Sequence, residues 1–507
     1  MTMNVILFVL DSLNRSYLTP YGAKDIQTPN FERLARRCVT MDNHWTGSLP
    51  TIPCRHEILT GRHGYLWRPW GPAEPYDVTV AQLCRDKGQV AQLITDTHHY
   101  FRAGACNYHT EFSGWDFLRG QVDDPWETEP VPEKFIPRVY REMIKHKGAR
   151  GLQYMRNTRN RREDRDFFPA RLYERAADWL DRNHTHKNFF LMVDSFTPHE
   201  PFHCPPPFDR LYDPDFEGEW TIWNNYDPAD RFRPEVARHI RAQYMGMITM
   251  LDKWLGAALD RLDRYSLWDN SLVMLVSDHG HHLGEHGIFG KNSLPHYRHF
   301  TNIPLFVSFP GMKPKSGARS KLLTSQIDLY PTIAEALGAP VSKDYVIHGY
   351  SLLPALRGEA TKIRDIAHSG YFGKGVMATD GRHALHKMPA RADNQPLFRY
   401  GIALDQMFVR AADVHGRPDV ETGRFLPYTT SIVYKVPSGQ RVRLGSDPEG
   451  EPRILPDLLF DLNKGDDLGR DIAKKEPRIV ARLTKKLAEE YERIGAPAEQ
   501  FERLGLK

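Results

Sequence analysis

The stretch Val5-Ile6-Leu7-Phe8-Val9-Leu10, followed by Asp11, decides the fold. A short, uninterrupted apolar run of this kind is typical of a strand buried on both faces of a mostly parallel sheet. Comparable runs occur at residues 91–94, 188–193, 272–276 and 304–307. Helical patterns lie between some of these runs, and strands that alternate with helices predict an α/β fold. We therefore expect a large, mostly parallel mixed sheet flanked by helices.

Two of the expected helices are marked by spacing and by a start signal. Apolar residues recur at helical spacing between Met245 and Leu262. Thr28-Pro29-Asn30 predicts the start of another helix, with Thr28 as the N-cap and Pro29 at the first helical position.

The chain changes character after about residue 365. Shorter strands are expected at 368–377, 380–387 and 431–436, and the apolar spacing from Ile479 to Tyr491 marks a final amphipathic helix. The pattern predicts a large α/β domain at 1–365. A smaller domain at 366–507 would contain a short antiparallel sheet and the terminal helix.

The charge balance of the 507-residue chain argues against a nucleic-acid partner. Lys and Arg number 68 and Asp and Glu number 64, which gives a net charge of +4. A broad basic surface is not expected from so even a balance. The basic segment 145–165 is interpreted as a solvated helical insertion, and a role in gripping an anionic substrate or a partner chain is the alternative. Association of several copies is left open.

The cysteines and the apolar runs bear on location. The five cysteines, at 38, 54, 84, 106 and 204, match no disulfide or zinc framework and favour reduced thiols in the cytoplasm. No apolar run approaches the roughly 18 residues that a membrane-spanning helix needs. The N-terminal run lacks the charged start and the cleavage site of a signal peptide, so no leader and no membrane segment are expected.

Polar residues stand where two of the predicted strands end. Asp11 follows the first strand and Asp278-His279 follow the strand at 272–276. Open α/β sheets place their sites at the carboxyl ends of strands. Carboxylates and an imidazole are suitable ligands for a divalent cation such as Mn, Zn, Mg or Ca. Each residue alone also has an ordinary structural interpretation, as a helix cap or a turn residue.

The segment Thr51-Ile52-Pro53-Cys54-Arg55, followed by Leu59-Thr60-Gly61-Arg62, resembles the sulfatase branch of the alkaline phosphatase superfamily. Further stretches are similar to that family's landmarks in the same order along nearly the whole chain. They are Asn4–Asp11, Thr28-Pro29-Asn30-Phe31, Thr197-Pro198-His199-Glu200-Pro201-Phe202, Ser277-Asp278-His279-Gly280, Leu283-Gly284-Glu285-His286-Gly287, Gly290-Lys291, Asp328-Leu329-Tyr330-Pro331-Thr332 and Leu459-Phe460-Asp461-Leu462.

The resemblance implies an alkaline phosphatase/sulfatase-like fold and a metal-dependent hydrolase that acts on a small anionic ester. It implies that Asp11, Asp278 and His279 bind one divalent metal together with the nucleophile oxygen of Thr51. It also implies that Arg55, His199 and Lys291 hold the ester. A metal and fixed cations lower the barrier of such a reaction because the transferring group spreads negative charge over its oxygens.

The nucleophile position departs from sulfatases proper, which carry there a Cys or Ser that is oxidised to formylglycine. Threonine cannot form that aldehyde, because its carbinol carbon carries a methyl group. Cys54 does not fit as a shifted nucleophile, since His56 and Ile58 stand where Pro and Arg would be required. The nucleotide pyrophosphatase/phosphodiesterase branch of the superfamily uses Thr at this point. Thr51 therefore favours a phosphoester or phosphonate ester hydrolase with a covalent intermediate.

Two alternatives remain open at this stage. One is a true sulfatase that works without formylglycine, and the other is an inactive protein that only binds anions.

Two further departures concern the substrate. Ser12 replaces an acidic metal ligand of many sulfatases and is expected to donate a hydrogen bond to the ester. Asp96 stands where the family has Lys in a Gly-Lys-x-His segment, whereas His98 is kept. An acid at this point would favour a cationic leaving group, and the alternative is that Asp96 caps a turn and faces away.

The sequence favours one metal ion over two. The residues that leave a second metal open are Asp194, His199, His203, His296 and His299.

Overall fold

The structure is a computed structural model. It describes residues 3–102, 104–132, 134, 136–291, 294–404, 414, 416–439, 454–464 and 470–506.

An eight-stranded mixed sheet forms the centre of the larger part of the molecule. Its strands are β1 (Asn4–Leu10), β2 (Val39–Met41), β4 (Ala91–Thr95), β5 (Gly114–Phe117), β6 (Phe190–Ser195), β7 (Ser271–Ser277), β10 (Leu305–Ser308) and β11 (Arg319–Ser320). They lie in the order β11-β2-β10-β7-β1-β6-β4-β5. The five neighbours from β7 to β5 are all parallel, and β10 runs antiparallel to both β7 and β2. This confirms the predicted α/β class.

Helices cover both faces of this sheet, which explains the unbroken apolar run of β1. Alternate side chains of a strand point to opposite faces. Val5, Leu7 and Val9 pack in one core with the helices α2 (Thr51–Thr60), α3 (Val80–Asp86) and α9 (Leu329–Leu337). The residues between them pack on the other face with α1 (Pro29–Arg37), α6 (Phe168–Asn183) and α7 (Pro234–Arg264). Every residue of β1 is therefore buried.

The start of α1 differs in one detail from the prediction. Thr28 is the residue before the helix, but its side chain makes no capping hydrogen bond and instead pairs with Thr19 Oγ1 at 2.8 Å. The carboxylate of Asp252, on α7, accepts hydrogen bonds from the backbone N–H groups of Asn30 and Phe31 at 3.0 and 2.7 Å. A side chain from a neighbouring helix thus satisfies the free N–H groups that Thr28 was expected to bind.

Smaller elements complete the first part. The charged segment folds as α4 (Arg138–Lys147) and α5 (Ala149–Thr158), and the remaining helices are α8 (Arg298–Thr301) and α10 (Leu353–Leu356). Two short strand pairs form between β3 (His44–Trp45) and β12 (Thr324–Ser325) and between β8 (His282–Leu283) and β9 (Phe289–Gly290).

The described residues of the C-terminal part form two antiparallel sheets. Four strands, β13 (Ala367–Gly370), β14 (Val376–Thr379), β15 (His383–Lys387) and β19 (Leu458–Asp461), form one sheet. The other contains β16 (Phe398–Gly401), β17 (Glu421–Gly423) and β18 (Val433–Pro437). The single strand expected at 368–377 is in fact two strands joined by a turn. The boundary at 365/366 stays a prediction.

The terminal helix extends beyond the residues whose apolar spacing predicted it. Helix α11 (Pro477–Arg493) packs Leu483 against Leu385 and Leu459, and α12 (Ala498–Arg503) follows it. Among the residues that the structure describes, no helix is both long and apolar enough to cross a membrane. All five cysteines are unpaired, and Cys106 alone of them is exposed. The cytoplasmic location stays a prediction.

Candidate active site

The pairing of β1 with β7 brings the predicted metal ligands together. Leu10 lies opposite Ser277 in this parallel pair, so Asp11 and Asp278 leave the sheet side by side. Asp11, Asp278 and His279 are fully buried, and each offers a ligand atom within 4.8 Å of the other two.

The His279 ring is held in a neutral state with one nitrogen free to bind a metal ion. Its Nδ1–H donates to the backbone oxygen of Gly280 at 2.9 Å, and its Nε2 is buried without a hydrogen-bond partner. Burial, reinforced by the charge of Lys291, lowers the pKa of His279 to about 3. A neutral imidazole with one bare nitrogen beside two carboxylates fits a divalent cation, because metal-bound histidines commonly donate their other N–H to a carbonyl.

Arg55 lies between three buried carboxylates. Its Nε and Nη2 donate to the two oxygens of Asp194 at 2.9 and 2.7 Å, and its Nη1 lies 2.6 Å from Asp278 Oδ2 and 3.2 Å from Asp11 Oδ2. Burial disfavours its charge, but the three carboxylates raise the pKa of Arg55 well above its ordinary value. The guanidinium also donates from Nη1 to the backbone oxygen of Thr51 at 3.2 Å. It thereby links the nucleophile helix to the carboxylates.

Lys291 reaches this centre through Ser12. The Lys291 ammonium donates to Ser12 Oγ at 2.9 Å, and Ser12 Oγ in turn donates to Asp11 Oδ1 at 2.7 Å. The backbone N–H of Ser12 donates to Asp278 Oδ1 at 2.9 Å. Ser12 has a φ of 64°, in the left-handed region that non-glycine residues rarely adopt, and these bonds hold it there. The Ser12 hydroxyl therefore donates to Asp11 and accepts from Lys291 in this structure. A hydrogen bond from Ser12 to the ester stays a prediction.

The predicted nucleophile begins a buried helix. Thr51 is the first residue of α2, all ten residues of which are buried, and the helix ends at Gly61 in the left-handed conformation. Thr51, His199 and Lys291 line one cavity of about 810 Å³. Arg55 lies one helical turn after Thr51, behind this wall, and does not itself line the cavity.

His199 precedes in sequence a buried acid, Glu200, to which the sequence pattern gave no role. Its Nδ1 donates to the backbone oxygen of Glu200 at 2.6 Å, which leaves Nε2 as an acceptor, and its ring stacks on Phe196. Burial lowers the pKa of His199 to about 3. Glu200 accepts a hydrogen bond from Tyr226 Oη, and both side chains line the cavity. Burial alone would raise the pKa of Glu200, but His199 and Lys291 hold it well below its ordinary value.

Comparison with known proteins identifies the family of the chain. The sequence model of the sulfatase family matches residues 3–339. The chain belongs to the sulfatase family. It is 25% identical over 415 residues to an arylsulfatase of Clostridium perfringens, which covers 76% of this chain and 84% of that protein. It is 26% identical over 419 residues to the multifunctional alkaline phosphatase superfamily protein PehA of Trinickia caryophylli, with 70% and 77% covered.

Solved structures agree on the fold. The phosphonate monoester hydrolase of Agrobacterium radiobacter superposes with a TM-score of 0.64 at 19% identity, and the match covers 97% of this chain and 96% of that one. As a sulfatase-family member, the chain is a hydrolase of anionic esters. The relatives include both sulfatases and a phosphonate monoester hydrolase, so they leave the ester class open.

Two residues expected at the substrate lie elsewhere in this sulfatase-family structure. Asp96 is fully buried and accepts hydrogen bonds from Gln121 Nε2 at 2.9 Å and from the backbone N–H of Phe196 at 2.6 Å. Neither Asp96 nor His98 lines the cavity, and His98 Nε2 lies 3.4 Å from Asp123. His99 lines it instead, with its ring 6.3 Å from that of His199. The position of Asp96 matches the alternative in which this acid faces away.

The residues considered for a second metal lie in separate surroundings. Asp194 binds Arg55 through both oxygens. His203 packs among aromatic rings, with Nδ1 3.3 Å from Tyr154 Oη, and the ring of His296 lies 5.3 Å from that of Tyr371. His299 lies beside His282 and His286, with its ring 5.4 Å from the ring of His286. The single-metal interpretation stays a prediction.

Proposed function

We propose that this sulfatase-family chain hydrolyses phosphorus esters with Thr51 as the nucleophile. The observation that carries the proposal is the position of Thr51. Its hydroxyl-bearing side chain begins a buried helix on the wall of the cavity that His199 and Lys291 also line. A cation one turn along the same helix, Arg55, binds the carboxylates behind it.

The chemistry of threonine favours phosphorus over sulfur. A formylglycine adduct can release sulfate by breaking its own C–O bond, which a threonine adduct cannot do. A threonine adduct must be cleared by water that attacks the central atom, a reaction that phosphoryl-threonine supports better than sulfuryl-threonine. Hydrolysis of a sulfate ester through the same residues is the alternative class.

The charges around the centre favour an ester with one negative charge. Asp11, Asp194, Asp278 and the ionised Glu200 face the cations Arg55 and Lys291, so these buried groups carry two net negative charges. A divalent cation would bring this sum to zero. A phosphodiester or a phosphonate monoester, each singly charged, would then add one negative charge to the centre, whereas a phosphate monoester dianion would add two.

In the first step the Thr51 Oγ forms a bond to phosphorus and the bond from phosphorus to the leaving oxygen breaks. The Thr51 proton passes to the leaving oxygen, and His199 Nε2, which is neutral because burial lowers the pKa of His199, is an acceptor on the cavity wall that can relay it. In the second step water attacks phosphorus, the bond to Thr51 Oγ breaks, and that oxygen regains a proton from the water. The products are an alcohol and a phosphate or phosphonate.

A divalent cation would be held by Asp11, Asp278 and His279, with Thr51 Oγ1 as the further predicted ligand, and it would stabilise negative charge on the ester oxygens. Lys291 contributes a positive charge on the cavity wall and is oriented by Ser12. Arg55, which is removed from the cavity, positions the Thr51 helix and the carboxylates.

Four aryl esters with one common leaving group test the proposal: a phosphonate monoester, a phosphodiester, a phosphate monoester and a sulfate monoester. We expect the two singly charged phosphorus esters to give the highest kcat/KM in the presence of metal. A phosphoryl group should be trapped on Thr51 by rapid quenching and peptide mass spectrometry. Thr51→Val, which keeps the shape and removes the hydroxyl, should lower kcat at least about 1000-fold, a loss typical of a missing nucleophile.

Thr51→Ser is the matched control, because it keeps the hydroxyl and should keep measurable turnover. Turnover of the sulfate ester without turnover of any phosphorus ester would refute the choice of phosphorus. If the metal-loaded protein bound anions but hydrolysed none of the four esters, the chain would be an anion-binding protein and not an enzyme.

A further inference from the structure

The wall of the cavity beyond the reaction centre is strongly cationic. Six of the described residues that line it are Lys or Arg, and Glu200 is their single carboxylate. The six are Lys147, Arg150, Lys291, Lys374, Arg399 and Arg417. The whole chain, by contrast, has 68 cationic and 64 acidic residues, so the imbalance is local. Lys291 belongs to the reaction centre, and the other five line the rest of the cavity.

One side of this wall is supplied by the charged helical insertion. Lys147 ends α4 and donates from Nζ to Asn225 Oδ1, a neutral acceptor, at 2.8 Å. Arg150 is the second residue of α5, and its Nε donates to Asp123 at 2.9 Å while 53% of its side chain stays exposed. The two cations lie 5.5 and 5.0 Å from the ring of Trp223, which also lines the cavity. They present an aromatic surface flanked by positive charge.

The other side comes from the C-terminal part of the chain. Lys374 lies in the turn between β13 and β14, with Nζ 4.7 Å from the ring of Tyr371, and Arg399 lies on β16. Arg417 is nearby on the wall and pairs with Asp419. Two segments distant in sequence thus converge with the same sign of charge on one cavity.

This distribution of charge would discriminate between leaving groups and not between the reacting centres of the esters. A neutral leaving group would meet no complementary charge there, and a cationic one would be repelled. We propose that the cavity takes esters whose leaving group carries at least one further anionic group. Lys147 and Arg150 on one side and Lys374 and Arg399 on the other are its specificity-determining residues. The proposal rests on the proposed ester hydrolysis and extends it. It also replaces the cationic leaving group that Asp96 had suggested, since Asp96 is buried away from the cavity.

Two phosphonate monoesters test the proposal, one with a nitrophenol leaving group that carries a carboxylate and one with the matching carboxamide. We expect the wild type to have a higher kcat/KM for the carboxylate ester. The double variant Lys147→Gln/Arg150→Gln should lower the ratio of the two kcat/KM values by about 10-fold, as expected when hydrogen bonds to a charged group are lost. Lys374→Gln/Arg399→Gln should act in the same direction.

The control is Arg141→Gln/Lys145→Gln, which removes the same two residue types from exposed positions of α4 that do not line the cavity. Its ratio should equal that of the wild type. Turnover of the carboxamide ester shows that each variant is folded. A third ester, with a sulfonate in place of the carboxylate, shows whether any anion suffices or only a carboxylate.

A wild-type ratio of one or less would overturn the proposal, as would a ratio that both cavity variants leave unchanged. If neither ester is hydrolysed, the proposed function fails and the subsite is judged by binding alone. Calorimetry with the free carboxylated nitrophenol and its carboxamide would then decide it. Tighter binding of the carboxylate that is lost in Lys147→Gln/Arg150→Gln supports the subsite, and equal affinities refute it.

Discussion

Arg55→Met is the substitution that best tests how the buried carboxylates of the site are neutralised. The guanidinium makes close contacts with Asp11, Asp194 and Asp278, and all four side chains are fully buried. Breaking a buried ion pair by removing one partner typically costs about 3–5 kcal/mol, because the other charge remains in a poorly solvated site. Lys291, 3.9 Å from Asp11, is too distant to replace three contacts. We expect Arg55→Met to lower the free energy of unfolding by about 3–5 kcal/mol in a chelator.

A divalent cation should reduce this loss. Arg55 Nη1 lies against both carboxylates of the metal group, so removing it lets the ion take over part of the same neutralisation. A saturating ligand at about 100 times its dissociation constant stabilises a folded protein by roughly 2.7 kcal/mol, and by more where its affinity is higher. Metal should therefore stabilise the variant more than the wild type. Arg55→Lys, which keeps the charge but loses the planar fork, should fall between the two proteins.

Urea unfolding monitored by tryptophan fluorescence, with chelator and with Mn²⁺, measures both effects. Arg138→Met is the control, because Arg138 pairs with Glu219 at the surface, where an ion pair contributes at most about 1 kcal/mol. A loss below about 1 kcal/mol for Arg55→Met in chelator would refute the electrostatic account of the centre. So would an equal loss with and without Mn²⁺.

Two further predictions concern the ligand set and the buried acid. His279→Ala should lower the Mn²⁺ affinity measured by calorimetry at least about 10-fold. His186→Ala, at an exposed position, should leave the affinity unchanged. Equal affinities for His279→Ala and the wild type would show that His279 is not a metal ligand. Burial raises the pKa of Asp96 to about 7, so the folded state binds a proton more tightly than the unfolded state, and stability should fall as pH rises from about 4 to about 7. Asp96→Asn should abolish this part of the pH dependence, which amounts to at most roughly 4 kcal/mol; parallel stability curves for the two proteins over that range would contradict it.

The candidate metal ligands could be predicted from the sequence because they directly follow two core strands. Asp11 and Asp278 follow apolar runs that can only be central strands, and parallel pairing brings the ends of such strands to one edge of the sheet. Their meeting therefore needs no knowledge of loops or side-chain rotamers. The fold class follows from the same runs, since strands buried on both faces require helices on both sides.

The orientation of a side chain that depends on the local backbone could not be predicted in this way. His98 and His99 lie in a 3-10 helix, where successive side chains diverge by about 120°. The local turn decides which of the two histidines faces the cavity. His99 lines the cavity, whereas the family motif had pointed to His98. Ser12 is similar, because its left-handed backbone turns its hydroxyl toward Asp11 and Lys291.

The cationic wall was hidden for a different reason. Lys147 and Arg150 belong to a charged segment that sequence patterns identify as a solvated helix, and Arg399 belongs to a short strand about 250 residues later. Nothing in either pattern indicates that both face one cavity, since that depends on how the insertion and the C-terminal sheets dock on the large domain.

The two layers of charge around the cavity differ in how they are balanced, and this difference separates chemistry from selectivity. In the inner layer each cation lies within reach of a buried carboxylate, so a substitution there disturbs the geometry and charge that every substrate requires. In the outer layer the described lining residues include five cations and no carboxylate, although Arg150 and Arg417 pair with Asp123 and Asp419 outside the lining, so an anionic group that enters meets an excess of positive charge. Inner substitutions such as Arg55→Lys should therefore lower kcat for all esters by a similar factor. Outer substitutions such as Lys147→Gln should change the ranking of esters and leave the slowest of them unaffected.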